Sequence, residues 1–338
     1  MDAPLYLFAL DASAPFGLRV ARHLGSGLAG HAEQDFDDGE FLLHVPAGVR
    51  GGDAYVIQSL AADLAARGGT GNDSAGQGSG ERLCRLLFLV GALRDACAAR
   101  VTAVLPYVAF ARQDARRAPG EPLTLRYVAT LLEAAGVDAV MALDVHNLSA
   151  FQNAFRCRTE HLDGSALFAS HIAAHLVPDA QEQEFCIVAP DGGGIRRAEC
   201  LREALAQALC RPVTLAFVEK HRHGGTLSGD LMAGDVAGKT AIVFDDIVGT
   251  GHTMARAVRA CREQGATRVL AAATHAVFAG DAAAVLEAAG VDGVIVADTV
   301  QEGERARAVA RADVAVLDSA ALFAQAIRAL HGGATTPG

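Results

Sequence analysis

The sequence predicts an α/β protein of two domains, each a mainly parallel sheet flanked by helices. Short apolar runs recur along the chain, and such continuous hydrophobicity suits strands that are buried on both faces. Segments of helical length, rich in alanine, leucine, arginine and glutamate, separate most of these runs. Strands that alternate with helices form right-handed βαβ units. The length of 338 residues is about twice the ~150 residues of a typical domain, which favours two domains.

The predicted elements follow the chain in a regular order. The strands are expected at 5–10, 54–60, 100–107, 139–144, 185–190, 213–218, 240–246, 268–275, 293–298 and 312–318. The helices are expected at 83–98, 124–135, 196–209, 253–264 and 281–289. In an open parallel sheet, ligands bind beyond the carboxyl ends of the strands. Polar and glycine-rich segments that follow a predicted strand are therefore the first candidates for a functional site.

An internal repeat supports the division into two domains of one fold. Residues 133–144 (EAAGVDAVMALD) match residues 287–298 (EAAGVDGVIVAD), and residues 100–111 resemble residues 268–279. The offsets are 154 and 168 residues, so the first copy holds additional residues between its two matches, in the polar stretch 112–122. An added loop at the end of a strand is a common place for function. The expected parts are a first domain over 1–160, a second over 161–330 and a disordered tail over 331–338.

The composition excludes several classes of protein. Acidic residues outnumber basic ones, 39 to 29, and the net charge of −10 argues against a nucleic-acid coat or a binder of anionic membranes. No apolar stretch reaches the ~20 residues of a membrane span, and the first residues lack the basic start of a secretory signal. The seven cysteines form no CxxC pair, which indicates a reducing compartment. We therefore expect a cytoplasmic protein without nucleic-acid or membrane partners.

The segment 241–253, AIVFDDIVGTGHT, has the most specific local pattern in the chain. An apolar strand ends in Asp245 and Asp246, and a short turn follows before a helix that we expect to begin near Thr253. Glycines and the amide groups of a helix N-terminus bind phosphate, and paired carboxylates suit adjacent sugar hydroxyls or hydrated Mg²⁺. The segment therefore predicts a site for a pentose 5-phosphate; a capped helix beside two solvated acids is the simpler alternative.

This segment resembles the signature with which type I phosphoribosyltransferases bind phosphoribosyl pyrophosphate (PRPP). Further segments resemble motifs of the ribose-phosphate pyrophosphokinase family, and their order and spacing agree from about residue 5 to residue 328. They are Phe36–Glu40 (FDDGE), Ala111–Asp114 (ARQD), Asp144–His146 (DVH), Pro190–Gly193 (PDGG) and Lys220–Arg222 (KHR). The resemblance implies two tandem type I phosphoribosyltransferase-like domains, which the internal repeat supports independently.

The resemblance also implies an activity. Members of the family transfer the β,γ-diphosphoryl group of MgATP to the C1 hydroxyl of ribose 5-phosphate, which gives PRPP and AMP for nucleotide biosynthesis. Mg²⁺ is the implied cofactor, and ATP and ribose 5-phosphate are the implied substrates. In the family the nucleotide segment, here Phe36–Glu40, comes from a neighbouring subunit. A homo-oligomer built from dimers, up to a hexamer, with ATP sites shared between subunits is therefore implied.

Roles for individual residues follow from the same resemblance. The expected catalytic residues are Lys220, Arg222 and Asp191. The expected ATP-binding residues are Phe36, Asp38, Glu40, Arg112, Gln113, Arg116 and His146. The expected ribose 5-phosphate-binding residues are Asp245, Asp246, Gly249, Thr250, Gly251, His252 and Thr253. The expected pyrophosphate loop is Asp191, Gly192 and Gly193, and the expected metal ligands are Asp144, His146 and Asp191.

Other functions stay open at this point. A non-catalytic regulatory homologue would bind a true synthetase, but such proteins typically lose the acids and loop residues that this chain keeps. A synthetase homologue could use another sugar phosphate, and a PRPP-consuming phosphoribosyltransferase would need one such domain only. Two departures from the family stand out. Ala115 follows ARQD where a basic residue is usual, and Gly48 replaces the serine of phosphate-activated members, so we expect little dependence on inorganic phosphate.

Overall fold

The computed structural model describes residues 3–45, 48–63, 77–176, 183–223, 226–300 and 313–333, with only the backbone described over 220–223 and 226–230. The chain forms two compact units. The first unit is Met1–Asp163 with Ser319–Gly338, and the second unit is Gly164–Asp318. Within the described ranges, no helix is both long and apolar enough to cross a membrane.

The first unit is built on a five-stranded parallel sheet. Its strands are β1 (Leu5–Ala9), β4 (Asp53–Ile57), β5 (Arg100–Leu105), β6 (Ala139–Leu143) and β7 (Arg158–Leu162), in the order β1-β4-β5-β6-β7. An antiparallel hairpin of β2 (Ala32–Asp35) and β3 (Phe41–His44) forms a separate sheet. The helices are α1 (Ala14–Leu24), α2 (Ser79–Asp95), α3 (Thr124–Ala135), α4 (Leu148–Ala154) and the C-terminal α9 (Ala320–His331).

The second unit is built on a seven-stranded sheet. Its strands are β8 (Phe185–Ala189), β9 (Thr214–His223), β10 (Thr226–Ala233), β11 (Thr240–Val248), β12 (Arg268–Ala276), β13 (Gly293–Ala297) and β14 (Asp313–Leu317). The order is β10-β9-β8-β11-β12-β13-β14, and only β10 pairs with its neighbour in antiparallel fashion. The helices are α5 (Ser165–Leu176), α6 (Ile195–Leu209), α7 (His252–Glu263) and α8 (Ala282–Ala288). Parallel sheets flanked by helices confirm the predicted fold class.

The two units repeat one strand order, which is the structural counterpart of the sequence repeat. The order β1-β4-β5-β6-β7 corresponds to β8-β11-β12-β13-β14, and the repeated segments lie on β5 with β6 and on β12 with β13. The two copies also share a hydrogen bond between strand and turn. Asp138 Oδ2 accepts from the Val101 amide at 2.8 Å, and Asp292 Oδ2 accepts from the Val269 amide at 2.7 Å.

The cores explain why the strand predictions succeeded. Every residue of β4, β6, β8 and β13 is buried. A strand with helices on both faces exposes neither side to water, so its sequence is a continuous apolar run. The chain has no tryptophan, and the buried positions are filled mainly by alanine, valine, leucine and isoleucine.

The C-terminal helix packs on the first unit, although the predicted boundaries assigned residues up to 330 to the second domain. Phe323 on α9 meets Phe16 on α1 with ring centres 5.4 Å apart. Arg100 donates to the carbonyl of Leu330 at 3.2 Å, and the imidazole of His331 hydrogen bonds to Asp53. These contacts bury the apolar face of α9 on the first sheet. Residues 334–338 of the expected tail lie outside the described residues.

Several elements were not predicted. The helices α1, α4, α5 and α9 and the strands β2, β3, β7 and β10 lie in segments where we expected loops or made no assignment. Helix α2 begins at Ser79, before its predicted start at residue 83. Strand β2 (AEQD) is mostly polar, and β3 (FLLH) has only three apolar residues in a row, so neither strand shows the longer apolar run of a buried strand. Most of the glycine- and serine-rich stretch 68–80 lies outside the described residues.

Candidate active site

The acid pair of the second unit lies at the ligand-binding edge of its sheet. Strand β11 continues through Asp245 and Asp246 to Val248, so the strand is longer than predicted. Pairing with β8 ends at Val243, whereas pairing with β12 continues beyond the two acids. The acids therefore lie past the carboxyl end of β8, where parallel sheets bind ligands.

The loop after β11 leads directly into α7. Gly251 caps the helix with φ 79°, a left-handed conformation that favours glycine. A β-carbon at this glycine would lie 3.0 Å from the carbonyl oxygen of Ala282. Thr250 and His252 are exposed, and Thr253 is half-buried. Because the first amides of a helix have no partner within it, this loop suits a phosphate group.

The segment after β12 hydrogen bonds to the start of the loop between β11 and α7. The Phe278 amide donates to the carbonyl of Val248, and the Ala279 amide donates to the carbonyl of Gly249, both at 2.9 Å. Phe278 is buried and has a positive φ of 43°. A backbone fixed in this way keeps the loop in one conformation, so its amides are organised before any ligand binds.

The structure adds Arg197, near the start of α6, to the predicted acid pair. Its Nη1 donates to Asp245 Oδ1 at 2.9 Å and lies 3.3 Å from Asp246 Oδ1. Burial and the charge of Asp246 raise the pKa of Asp245 above its ordinary value, and Arg197 opposes both effects. The sequence signal was present, since Arg196 and Arg197 follow the glycine-rich turn after Ile195, but nothing in the sequence identified their partner.

The predicted pyrophosphate loop lies beside the acid pair. Asp191 follows β8, and its Oδ1 accepts a hydrogen bond from the Gly193 amide at 3.0 Å, at the start of a short 3₁₀ helix, Gly192–Gly194. A β-carbon on Gly194 would lie 3.8 Å from Asp245 Oδ1, which shows how closely the turn approaches the acids. Arg256 on α7, a second residue that the sequence did not indicate, donates to the carbonyl of Pro190 at 3.1 Å.

Lys220 and Arg222 lie on β9, which continues beyond the predicted end of this strand at residue 218. The strand runs to His223 and pairs with β10, with Lys220 opposite Asp230 and Arg222 opposite Leu227. The side chains of these residues lie outside the described part of the structure. β9 is the direct neighbour of β8 in the sheet, so the strand that carries Lys220 and Arg222 adjoins the strand that leads into Asp191.

In the first unit, the ARQD and DVH segments lie next to each other. Asn147, which caps α4 directly after DVH, donates from Nδ2 to Asp114 Oδ2 at 2.8 Å. Asp144 is buried and has a positive φ of 40°, a strained conformation that is concentrated at functional sites. His146 is half-buried, whereas Arg112 is exposed.

Two other residues of the added loop have partners within it or close by. The Nε of Arg116 donates to the carbonyl of Glu121 at 3.1 Å. Gln113 accepts a hydrogen bond from the hydroxyl of Thr124, at the start of α3. In this structure the Arg116 side chain therefore supports the loop itself.

The FDDGE segment forms the turn of the β2–β3 hairpin. The Phe36 amide donates to the carbonyl of Glu40 at 2.9 Å, and the Glu40 amide donates to the carboxylate of Asp38 at 3.1 Å. The Phe36 side chain is exposed, as are the residues from Asp37 to Glu40. An exposed aromatic ring and carboxylates on a tight turn are available to a ligand.

A further cluster in the first unit joins Asp11, His31 and Glu33, whose ligand atoms all lie within 4.8 Å of one another. His31 Nε2 is 3.2 Å from Glu33 Oε1, and the Asp11 amide donates to the same oxygen at 2.6 Å. Burial raises the pKa of Glu33, but these hydrogen bonds and Arg85 more than offset it and lower the pKa. The cluster is thus explained as an ion-pair network.

Comparisons with known proteins agree with this arrangement. Residues 5–136 match the N-terminal domain of ribose phosphate pyrophosphokinase, and residues 229–336 match the phosphoribosyl synthetase-associated domain. The chain is 32% identical over 326 residues to the ribose-phosphate pyrophosphokinase of Wolinella succinogenes, covering 96% of this chain and 95% of that protein. It is 34% identical over 324 residues to that of Haemophilus influenzae, with coverage of 95% and 94%.

A solved structure extends the similarity to three dimensions. The crystal structure of phosphoribosylpyrophosphate synthetase from Mycobacterium smegmatis matches with a TM-score of 0.82 at 32% identity. The match covers 98% of this chain and 99% of that one. With similarity of this degree over nearly the whole length, this chain belongs to the ribose-phosphate pyrophosphokinase family.

Proposed function

We propose that this protein transfers the diphosphoryl group of MgATP to the C1 hydroxyl of ribose 5-phosphate, which forms PRPP and AMP. The observation that carries the proposal is the convergence in the second unit of a phosphate loop, a buried acid pair and a glycine-rich turn. The phosphate loop and the acid pair suit a sugar phosphate, and the glycine-rich turn suits a diphosphate. Full-length similarity to proteins that are named for this reaction supports the same assignment.

The phosphate loop and the acid pair would bind ribose 5-phosphate together. The loop amides from Gly249 to Thr253 bind the 5-phosphate, because a helix N-terminus favours an anion. Asp245 and Asp246 accept hydrogen bonds from the ring hydroxyls. Arg197 lowers the pKa of Asp245 and so limits the uptake of a proton that burial and the charge of Asp246 promote.

The residues present fit Mg²⁺ through their oxygen atoms. Mg²⁺ prefers carboxylates, waters and phosphate oxygens, and Asp191 and Asp144 both offer carboxylates after the carboxyl ends of their strands. We assign Asp191 as a Mg²⁺ ligand in the second unit and Asp144 as a Mg²⁺ ligand in the first, and we give His146 to the nucleotide phosphates, because imidazole suits softer metals. When bound, Mg²⁺ would offset the negative charge of the transferring phosphates.

Positioning and charge stabilisation account for most of the catalysis of phosphoryl transfer. Lys220 and Arg222 are assigned to the oxygens of the migrating diphosphoryl group, and the amides of Gly192 and Gly193 to the pyrophosphate. We assign Arg112, Gln113 and Arg116 to ATP. To reach it, the Arg116 side chain must break its hydrogen bond with the carbonyl of Glu121. Phe36, Asp38 and Glu40 are assigned to the adenosine, contributed by another subunit of a homo-oligomer. We place the enzyme in the cytoplasm, with its substrates.

The test measures AMP and PRPP released by the purified protein from ATP, Mg²⁺ and ribose 5-phosphate. The chain contains only two lysines, Lys220 and Lys239, and this provides a matched control. Lys239 lies at the amino end of β11, where its Nζ donates to the carbonyl of Asp235 at 3.0 Å. We expect equal amounts of AMP and PRPP from the wild type and from Lys239→Gln, and neither product from Lys220→Ala.

The outcomes separate the alternatives. Absence of AMP from a wild-type protein that still binds ATP would refute the proposed reaction and favour a regulatory homologue. AMP release with another pentose phosphate, but not with ribose 5-phosphate, would keep the chemistry and change the acceptor. Activity that survives in Lys220→Ala would exclude the role assigned to that lysine.

A further inference from the structure

The hairpin that carries the Phe36–Glu40 turn is separate from the main sheet of the first unit. Among the described strands, β2 and β3 pair only with each other. None of their residues is fully buried, and a two-stranded hairpin alone is at best marginally stable in water. The position of the turn therefore depends on contacts between the hairpin and the rest of the unit.

One side chain of α2, Arg85, provides the charged part of these contacts. Its Nη1 donates to Glu33 Oε2 at 3.1 Å, and its Nη2 donates to Asp35. Its Nη2 also donates to Glu81, one turn earlier on the same helix, at 2.9 Å. The guanidinium carbon lies 4.3 Å from the ring centre of Phe41. The arginine side chain is only 4% exposed, so its orientation is set by the residues around it.

Two of these contacts flank the turn. Asp35 directly precedes Phe36, Phe41 directly follows Glu40, and Asp35 and Phe41 are opposite each other as the last pair of the hairpin. Arg85 contacts both. The planar guanidinium group can bind a carboxylate and lie over a ring at the same time, which the ammonium group of a lysine cannot do. Phe41 also packs against Phe88 on α2 with ring centres 5.3 Å apart.

We propose that Arg85 is a positioning residue for ATP, because it holds the two residues between which the nucleotide turn is formed. The inference rests on the proposed function, in which Phe36, Asp38 and Glu40 contact the nucleotide. A turn that is held in its binding conformation loses less entropy when the ligand binds. Loss of the Arg85 contacts should therefore weaken ATP binding and leave ribose 5-phosphate, which is bound by the second unit, unaffected.

The test compares two variants with a matched control. Arg85→Lys keeps the positive charge and loses the planar fork. Asp35→Ala removes a carboxylate whose side chain is 68% exposed, so this variant should fold normally. Arg94→Lys makes the same change near the end of the same helix, where the arginine pairs with Asp138 at 3.0 Å. The measurements are kcat, the KM for MgATP and the KM for ribose 5-phosphate, with thermal unfolding as the check on folding.

We expect KM for ATP to rise about tenfold in Arg85→Lys and about threefold in Asp35→Ala. The KM for ribose 5-phosphate and kcat should change less than about twofold, and the Arg94→Lys control should match the wild type. An unchanged KM for ATP in both folded variants, or an equal rise in both KM values, would overturn the proposal. If Arg85→Lys does not fold, the KM for ATP of Asp35→Ala is the test of the proposal.

The same variants keep this inference separate from the proposed reaction. If the wild type released no AMP, the proposed function would fail, and calorimetric titration with ATP would replace the kinetic assay. Weaker ATP binding by Arg85→Lys and Asp35→Ala, with the wild-type Kd in Arg94→Lys, would then still support the positioning role. Equal ATP affinity in all four proteins, or no binding by the wild type, would refute it.

Discussion

Replacing Arg197 by methionine tests the electrostatics of the proposed sugar-phosphate site. The substitution keeps an unbranched apolar stem on α6 and removes the cation that faces Asp245 and Asp246 at 2.9 and 3.3 Å. The three side chains are at most 16% exposed. Removing one partner of a buried ion pair costs about 3–5 kcal/mol, so we expect a large effect on the second unit.

The stability that Arg197→Met loses should depend on pH. Burial and Asp246 already raise the pKa of Asp245 in the folded protein, so the folded state holds a proton that the unfolded state has released. Such a group stabilises the fold below its unfolded pKa, and this contribution is lost as the pH rises through the folded pKa. Without Arg197, the apparent pKa of the coupled pair should rise by about 2–3 units, because one unit corresponds to 1.36 kcal/mol. The variant should therefore lose more stability relative to the wild type at high pH than at low pH.

Thermal unfolding of both proteins across this pH range measures the effect. A cost of about 3 kcal/mol corresponds to a fall in Tm of about 6–12 °C at the alkaline end for a unit of this size, and to a smaller fall at the acidic end. In activity assays above the wild-type pKa of the pair, the variant retains a proton that the wild type has released and offers one acceptor fewer to the sugar hydroxyls, so KM for ribose 5-phosphate should rise about tenfold there. The control is Arg262→Met, which removes a more exposed ion pair with Asp292 that is worth about 0–1 kcal/mol.

Two results would contradict this reasoning. The first is a Tm difference between Arg197→Met and wild type that is the same at pH 5 and pH 9, because it would mean that the acid pair takes up no proton. The second is an unchanged KM for ribose 5-phosphate in a folded variant. That result would show that the sugar hydroxyls bind elsewhere.

Three further predictions follow from individual residues. Gly251→Ala should cost about 1–2 kcal/mol in backbone strain and raise KM for ribose 5-phosphate. The control is Gly290→Ala, because Gly290 has φ 80° and open space around it. This control should show the strain in a denaturant melt but no change in KM. Asp138→Ala leaves the Val101 amide without its acceptor and should lower the free energy of unfolding by about 1–3 kcal/mol; an altered KM at unchanged stability would contradict its structural role. Because Gly48 stands where phosphate-activated relatives have serine, the rate in a phosphate-free assay should change little when phosphate is added, and a steep rise would refute this.

The sequence predicted those parts of the fold that local hydrophobicity determines. The strand β8 (FCIVA) and the strand β13 (GVIVA) are short, apolar and wholly buried, so composition alone identifies them. The hairpin β2–β3 lacks this signal because its residues are exposed or half-buried. It contacts the rest of the unit through residues such as Arg85, which lies 50 residues beyond Asp35. A contact over that separation leaves no trace in the local sequence.

The candidate site was predictable in its residue types but not in its geometry. The acids of 241–253 were recognisable, yet the length of β11 depends on β12, which continues to pair after β8 has ended. Arg197 was visible as an arginine after a glycine-rich turn, but its choice of Asp245 as a partner is a tertiary contact. The strand predicted over 213–218 continues through Lys220 and Arg222 because β10 pairs with that segment.

The duplicated fold explains why only one copy would bind the sugar phosphate. The sequence repeat matches Arg100 with Arg268. Arg100 is opposite Asp53 on β4, and Arg268 is opposite Thr240 on β11. Asp53 therefore corresponds to Thr240, and β4 can be compared with β11 residue by residue. The positions of Asp245 and Asp246 are then taken in the first unit by Gln58 and Ser59.

In the first unit, Ser13 hydrogen bonds to both residues that stand in place of the acids. Its hydroxyl donates to Gln58 Oε1 at 3.0 Å and accepts from the Ser59 amide at 2.9 Å. Gln58 and Ser59 supply no carboxylate to a sugar, and the charge described at this edge is a cation, Arg82, which donates to the carbonyl of Ser59 at 3.4 Å. The paired acids with Arg197 are therefore a property of the second copy, whereas the first copy has gained the polar loop 112–122, to which three of the proposed ATP residues, Arg112, Gln113 and Arg116, belong.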